Sequence, residues 1–249
     1  MTMVQRTPPT AADPLLERAD RMEHLVAALR ALAHLGMDFG VAGHVSVRDA
    51  VLNDHFWLNP YGASFGRLDE SDLLLVSPHG EIVVGEGILH QPAFSIHGSV
   101  LASRPDVNGV VHVHSPFAQA QSARGEKLLP LTQEATAFFE SHDIHPYEGI
   151  RLEAEEGRSI ARRLGQGIAL LLQNHGLLTV GASVDCAAWR AISMERACHV
   201  QLMADAAGVV RPIPSDLARD IGPIVGSESE GWLNFQPLFE QVMFEKSDG

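Results

Sequence analysis

Cysteine and tyrosine are nearly absent from this chain, with two of each in 249 residues, and positive charge is scarce. The two cysteines, Cys186 and Cys198, fall in one segment of helical pattern, where their spacing corresponds to about 18 Å of rise, far beyond disulfide reach. That excludes a disulfide-stapled scaffold and points to a reducing, cytoplasmic setting. Lys and Arg number 18 against 31 Asp and Glu, a formal net charge of −13. Such a balance argues against nucleic acid and anionic membranes as partners, because both reward clustered cations. No apolar run approaches the roughly 18 residues needed to cross a bilayer. The opening MTMVQRTPPTAADP has no apolar core, so it does not read as a secretory signal, and residues 1–14 are expected to form a disordered tail.

What is present suits one soluble α/β domain. Leu15, Ala19, Met22, Val26, Leu29 and Leu32 recur at helical spacing up to a stop at Gly36. GHVSVRD (43–49) and HFWLNP (55–60) alternate like paired strands, and DLLLVSPHGEIVVG reads as two short strands around a turn at Pro78–Gly80. PAFSIHGSVLASRP predicts a helix ending before Pro105, EEGRSIARRL another, and the stretch from an N-cap at Ser183 to Gly208 the strongest helix of all. Residues 209–226 look irregular, with a last helix near Trp232–Glu245. No repeat or linker divides the chain.

The chemistry concentrates in histidine, of which there are thirteen. In NGVVHVHSPF, His112 and His114 are two apart, which in a strand puts both rings on one face while Val111 and Val113 point the other way. Two imidazoles sharing one space suit a divalent metal, because neighbouring rings cannot both charge cheaply. The alternative is a core histidine bonded to backbone with its neighbour at the surface. A third ligand is found in LLQNHGLLTVG, where His175 interrupts an apolar strand and precedes a glycine that lets backbone come close. His142 and His145 in HDIH are read as solvated in a polar loop, and His34, His55, His79 and His90 carry no geometric argument. A metallo-β-lactamase pattern would need an Asp soon after HVH, an amidohydrolase barrel a longer chain with an early HxH, and a cupin far less helix.

The ordered blocks GHVSVRD, LNPYG, HGSVLASRPDVNGVVHVHS, LLQNHGLLTVG and MERACHVQLMADAAG, within about residues 20–210, resemble the class II aldolase/adducin family, which includes the fuculose- and ribulose-phosphate aldolases and epimerases. The resemblance implies a three-layer α/β/α fold with a central, mainly antiparallel sheet, over a single domain at 15–249 in which 210–249 is a C-terminal extension. It implies one divalent ion per subunit (Zn, Mn, Fe or Co) held by His112, His114 and His175. It also implies a small-molecule substrate and a cyclic homotetramer with active sites at subunit interfaces.

The chain departs from that family at several positions. Where the sugar-phosphate aldolases carry a catalytic glutamate, four residues before the histidine matching His97, this chain has Ala93, which can shuttle no proton. In the phosphate pocket the family's Asn is replaced by His44, the hydroxyl residue before the loop glycine Gly62 by Tyr61, and the paired serines by Gln91 and Pro92. Proline offers no N–H to a phosphate. A sugar aldolase or epimerase acting on a phosphate is therefore disfavoured. His44, Tyr61, Gly62 and Gln91 are instead expected to line a pocket for a non-phosphorylated substrate, with Arg48 as a clamp for its carboxylate. Glu134, in LPLTQEATAFFE, lies near where some relatives place a catalytic tyrosine from the next subunit, and is the candidate acid or base; Glu140 and Glu148 are weaker candidates, and Glu156 is read as solvated.

Three functions follow: a metal-dependent lyase that decarboxylates or cleaves a C–C bond in a hydroxy or oxo acid, aromatic acids included; oxygen chemistry at a ferrous ion on the same scaffold; and a non-catalytic adducin-like interaction module. The first is the reading adopted from the sequence, and retention of all three histidines argues against the third.

Overall fold

The computed structural model describes residues 12–149 and 153–244. Among these residues eight strands form one sheet: β1 (His44–Arg48), β2 (Phe56–Leu58), β3 (Leu74–Val76), β4 (Ile82–Val84), β5 (Gly109–Val113), β6 (His142–His145), β7 (Ala169–Leu172) and β8 (Gly176–Gly181). Their order is β4-β3-β2-β1-β5-β8-β7-β6, with β6 and β7 the one parallel pair. The helices are α1 (Pro14–His34), α2 (Gln91–Ser103), α3 (Pro116–Arg124), α4 (Glu153–Leu164), α5 (Val184–Ala207), α6 (Ser215–Val225) and α7 (Glu228–Phe244).

Strand alternation assigns each apolar residue to one of two faces. Val45, Val47, Trp57, Val111, Val113 and Leu177 pack with α1, α5 and α7. Phe56, Leu58, Leu74, Val110, Leu170 and Leu178 pack with α2 and α4. The result is three layers, α/β/α, with a mostly antiparallel sheet between. Local signals set the helix ends: the Asp13 side chain accepts from the Leu15 N–H beside Pro14 at the start of α1, and Ser183 caps α5 by accepting from the Cys186 N–H. Cys186 and Cys198, both on α5, are free and buried.

Two expectations from the sequence are corrected. HDIH is not a solvated loop but the edge strand β6, in which His142 and His145 are buried. His142 is held as a neutral imidazole in the core, its Nδ1 donating to the Phe138 carbonyl at 2.5 Å and its Nε2 accepting from the Leu128 N–H at 3.0 Å. Residues 215–225 are not irregular but form α6: Pro214 sits at the N-cap, where its missing N–H breaks no intrahelical bond, and the helix carries Pro223 within it. The tail expected over residues 1–14 lies mostly outside the described residues; α1 already begins at Pro14.

The chain that leaves β5 enters α3 under tight control from α5. The buried Glu195 carboxylate accepts from Ser115 Oγ at 2.6 Å, the Phe117 N–H at 2.9 Å and the Ala118 N–H at 2.7 Å. A carboxylate placed there satisfies helix N–H groups that have no intrahelical partner and meets the positive end of the helix dipole. It thereby fixes the backbone immediately after His114. Replacing Glu195 by Gln should lower the unfolding free energy by about 2–4 kcal/mol, read from urea denaturation; a loss within experimental error would show that this carboxylate does not anchor α3.

Candidate metal centre

His112 lies in β5 and His114 one residue past its end, on the face of the sheet that α2 and α4 cover. His175 lies in the turn from β7 to β8, where its N–H donates to the Leu172 carbonyl at 3.0 Å. The reversal is made at Asn174, whose φ of 57° is a left-handed value that asparagine tolerates. Gly176 is required for a different reason: a Cβ there would stand 2.3 Å from the Val113 carbonyl oxygen. Only glycine lets β8 start this close to the end of β5. From the side, Gln119 of α3 donates to the His175 carbonyl at 3.1 Å.

This backbone geometry gathers three rings. Centroids are 4.9 Å apart for His112 and His114, 4.8 Å for His112 and His175, and 4.5 Å for His114 and His175. One ligating atom from each lies within 4.8 Å of the others, and among the described residues this is the group of side chains suited to a metal ion. His112 Nδ1 donates to the Leu177 carbonyl at 2.8 Å, which leaves the Nε2 lone pair free. His112 Nε2 and His114 Nε2 are 3.0 Å apart, near the roughly 3.3 Å between ligand atoms about a tetrahedral ion with bonds of 2.0–2.1 Å. Burial, reinforced by the neighbouring imidazoles, depresses the pKa of all three, that of His175 to about 4. They are therefore neutral, which is the ligating form, and the donor set fits a divalent ion of the imidazole-binding kind.

A second group of histidines adjoins the first. The register of β1 on β5 sets His44 opposite His112, with ring centroids 4.7 Å apart. His44 Nδ1 is 2.6 Å from His97 Nε2, and His97 Nδ1 is 2.5 Å from Ser46 Oγ. All three residues are buried, and desolvation holds His97 down at about 3. His90, at the N-cap of α2, stands edge-on to His44 at 5.6 Å and is stacked by Tyr61 at 4.6 Å. Reading the sequence gave His44 and Tyr61 a role but found none for His90, His97 or Ser46. Two patterns carried the signal: His90 and His97 are seven residues apart, two helical turns on one side, and Ser46 shares a strand face with His44.

Other predicted residues lie elsewhere. Arg48 is no substrate clamp, because its guanidinium donates to the carbonyls of Asn53, Leu101, Arg104 and Val107 at 2.7–3.1 Å and so ties the α2–β5 connection. Gln91 is exposed at the start of α2 and faces an open groove with Phe94 and Arg158, away from the histidines. Pro92 sits in the first turn of α2, where its missing N–H is harmless, and Ala93 is fully buried. Gly62 follows Tyr61 in an exposed turn. Glu134 is exposed rather than set among apolar groups, and within one chain it borders a separate cavity of about 350 Å³ with Trp189, Arg190 and Asn234.

The sequence model described as Class II Aldolase and Adducin N-terminal domain matches residues 23–202. The chain belongs to the class II aldolase/adducin family. Among its family relatives, a Streptomyces roseochromogenus protein named 4-hydroxy-3-prenylphenylpyruvate oxygenase/4-hydroxy-3-prenylbenzoate synthase is 42% identical over 231 residues, covering 92% of this chain and 83% of that protein. Decarboxylase NovR of Streptomyces niveus is 41% identical over 231 residues, covering 92% and 85%. A solved structure of L-fuculose 1-phosphate aldolase from Glaciozyma antarctica superposes with a TM-score of 0.89 at 38% identity, covering 97% of this chain and 96% of that one.

His112→Ala should abolish stoichiometric binding of a divalent ion, measured by elemental analysis after dialysis, while circular dichroism stays native; full metal content in the variant would remove His112 from the site. Because His97 is neutral when folded but has a pKa near 6.5 when unfolded, the unfolded state binds more protons as pH falls below 6.5. Metal-free protein should therefore lose stability on the order of 1 kcal/mol per pH unit from this residue between pH 6.5 and 4. His97→Gln should flatten that slope in urea titrations, and an unchanged slope would mean that His97 is not buried neutral.

Proposed function

We propose that this protein is a divalent-metal-dependent lyase that decarboxylates, or cleaves a C–C bond in, a non-phosphorylated hydroxy or oxo acid, with aromatic acids the favoured class. The observation that carries the reading is a three-histidine cluster that, among the described residues, includes no carboxylate. At the positions where the resembled sugar-phosphate aldolases carry a phosphate pocket and a catalytic glutamate, this chain has His44, Tyr61, Pro92 and Ala93. The names of the two Streptomyces relatives, a prenylphenylpyruvate oxygenase/prenylbenzoate synthase and a decarboxylase, support the same class.

In this reading His112, His114 and His175 hold the ion. When bound, a divalent ion supplies electrophilic stabilisation of negative charge on a substrate oxygen beside the breaking bond. Tyr61 stacked on His90 offers an aromatic wall against which a planar substrate can lie. The acid–base work falls to the chain of Ser46, His97 and His44. Each neutral imidazole has one donor and one acceptor nitrogen, so the hydrogen bonds must all point the same way. If Ser46 donates, His97 Nε2–H donates to His44 Nδ1 and His44 Nε2–H is a hydrogen-bond donor towards the site. If the chain runs the other way, His44 Nε2 presents a lone pair that takes a proton from the substrate, and the imidazolium so formed returns that proton to the product. His44 thus does at the site what Ala93 cannot. The role expected of Glu134 would require a neighbouring subunit, and the reading includes a cytoplasmic homotetramer with sites at subunit boundaries, without nucleic acid or membrane partners.

A second reading, oxygen chemistry at a ferrous ion on the same three ligands, is favoured by the printed name of one relative and by the open positions that three protein ligands leave. Incubation of the metal-loaded protein with a panel of hydroxylated aromatic and 2-oxo acids, with and without oxygen, separates the two. The lyase reading expects carbon dioxide or a cleaved aldehyde or ketone at equal rates under both atmospheres. Turnover that stops without oxygen would replace it with the second. His44→Phe should reduce turnover at least about 100-fold with metal retained, and an unaffected rate would take His44 out of the chemistry.

A further inference from the structure

A small cavity next to His175 is lined by His145, Glu148, Glu156 and Gln173 as well as by His175 itself. Its volume of about 10 Å³ admits no more than about one water molecule, so it takes no part of a substrate. The side chains on its wall are held in place. His145 lies at the end of β6, and its carbonyl accepts from the Gln173 N–H at 2.9 Å, two residues before His175. His145 Nε2 meets Ser159 Oγ at 3.0 Å, and Ser159 donates to Glu148 Oε2 at 3.3 Å. Glu156 sits on the α4 turn that packs most closely on α2: at the next residue, Gly157, a Cβ would lie 2.2 Å from the Ser95 carbonyl oxygen. The α2–α4 contact therefore fixes where Glu156 stands.

The charges are instructive. The three ligands are neutral, so a divalent ion among them would carry its full charge into a largely buried space, and Ala93 supplies no anion. Two carboxylates stand on the wall of a cavity that one ligand shares. Burial and the neighbouring Glu148 charge raise the Glu156 carboxyl above its usual range.

We propose that Glu148 and Glu156 are the outer-sphere counter-charges of the metal centre: they back His175 with negative charge and so set the affinity and electronic character of the bound ion. They are positioning residues, not ligands. The proposal rests on the metal-site reading given above, and it differs from what the sequence suggested, where Glu156 was read as solvated. Carboxylates behind ligating histidines characteristically change metal affinity 10–100-fold when removed.

The test uses Co²⁺ alone as probe, with the full-length protein, its Glu156→Gln, Glu148→Gln and double variants, and Glu156→Asp. Binding is followed by calorimetry and by the visible absorption of the bound cobalt. Glu156→Gln should bind Co²⁺ about 10–100-fold more weakly with a shifted visible band. The double variant should bind more weakly still, and Glu156→Asp should recover part of the loss. The metal-free Glu156→Gln protein should melt at the wild-type temperature or above, since a raised carboxyl has been removed; a merely structural residue would lower it. Affinity and spectrum unchanged in Glu156→Gln would overturn the proposal while leaving the metal site standing. Failure of the unaltered protein to bind Co²⁺ would instead overturn the metal-site reading and this inference together.

Discussion

The site depends on one close backbone approach. At Gly176 the chain passes so near the Val113 carbonyl that a single added carbon would stand 2.3 Å from it. That contact aligns the start of β8 with the end of β5 and brings a ring from the β7–β8 turn against two rings from β5. Other features serve the same alignment: Asn174 accepts the left-handed turn, Gln119 holds the His175 carbonyl, and Glu195 locks the backbone just after His114. Each acts on the main chain beside a histidine, so the ring positions follow from the path of the backbone.

Burial then does the chemical preparation. Water that would favour imidazolium is excluded, each ring lowers its neighbours' affinity for protons, and the Leu177 carbonyl selects the tautomer of His112. Three neutral nitrogens converge where separate solvated histidines would be partly charged near neutral pH. The same burial makes the adjoining Ser46, His97 and His44 a line of uncharged hydrogen-bonding groups. Antiparallel register links the two groups, since pairing His44 with His112 sets this line of side chains beside the three-histidine cluster.

Much of this was legible in the amino-acid order because it rests on short-range periodicity. The HxH alternation, the interruption of an apolar strand by His175, the caps of α1 and α5 and the two-faced strands are all local patterns. What stayed hidden depends on partners distant in sequence. Arg48 looked like a clamp until its guanidinium was found on four carbonyls that other segments bring to it. HDIH looked solvated because its polarity says nothing of the Phe138 and Leu128 backbone groups that satisfy His142. Glu156 looked like one of several exposed acids until α4 was seen packed against α2. Polar residues are hard to place from sequence because their burial depends on a partner, whereas apolar residues carry their own preference for the interior.

Membership of the class II aldolase/adducin family explains the scaffold, and the substitutions around the histidines explain why its chemistry is read here as altered. In this chain the fold forms with the close approach at Gly176 and with Ala93 on α2. The central claim is that three imidazoles and no carboxylate hold a divalent ion in this chain. Anomalous X-ray diffraction from crystals grown with Co²⁺, recorded on both sides of the cobalt absorption edge, tests it directly. The account predicts one anomalous peak per chain, bonded to His112, His114 and His175, with every carboxylate outside bonding distance. A peak on other residues, or a carboxylate oxygen bonded to the ion, would contradict it.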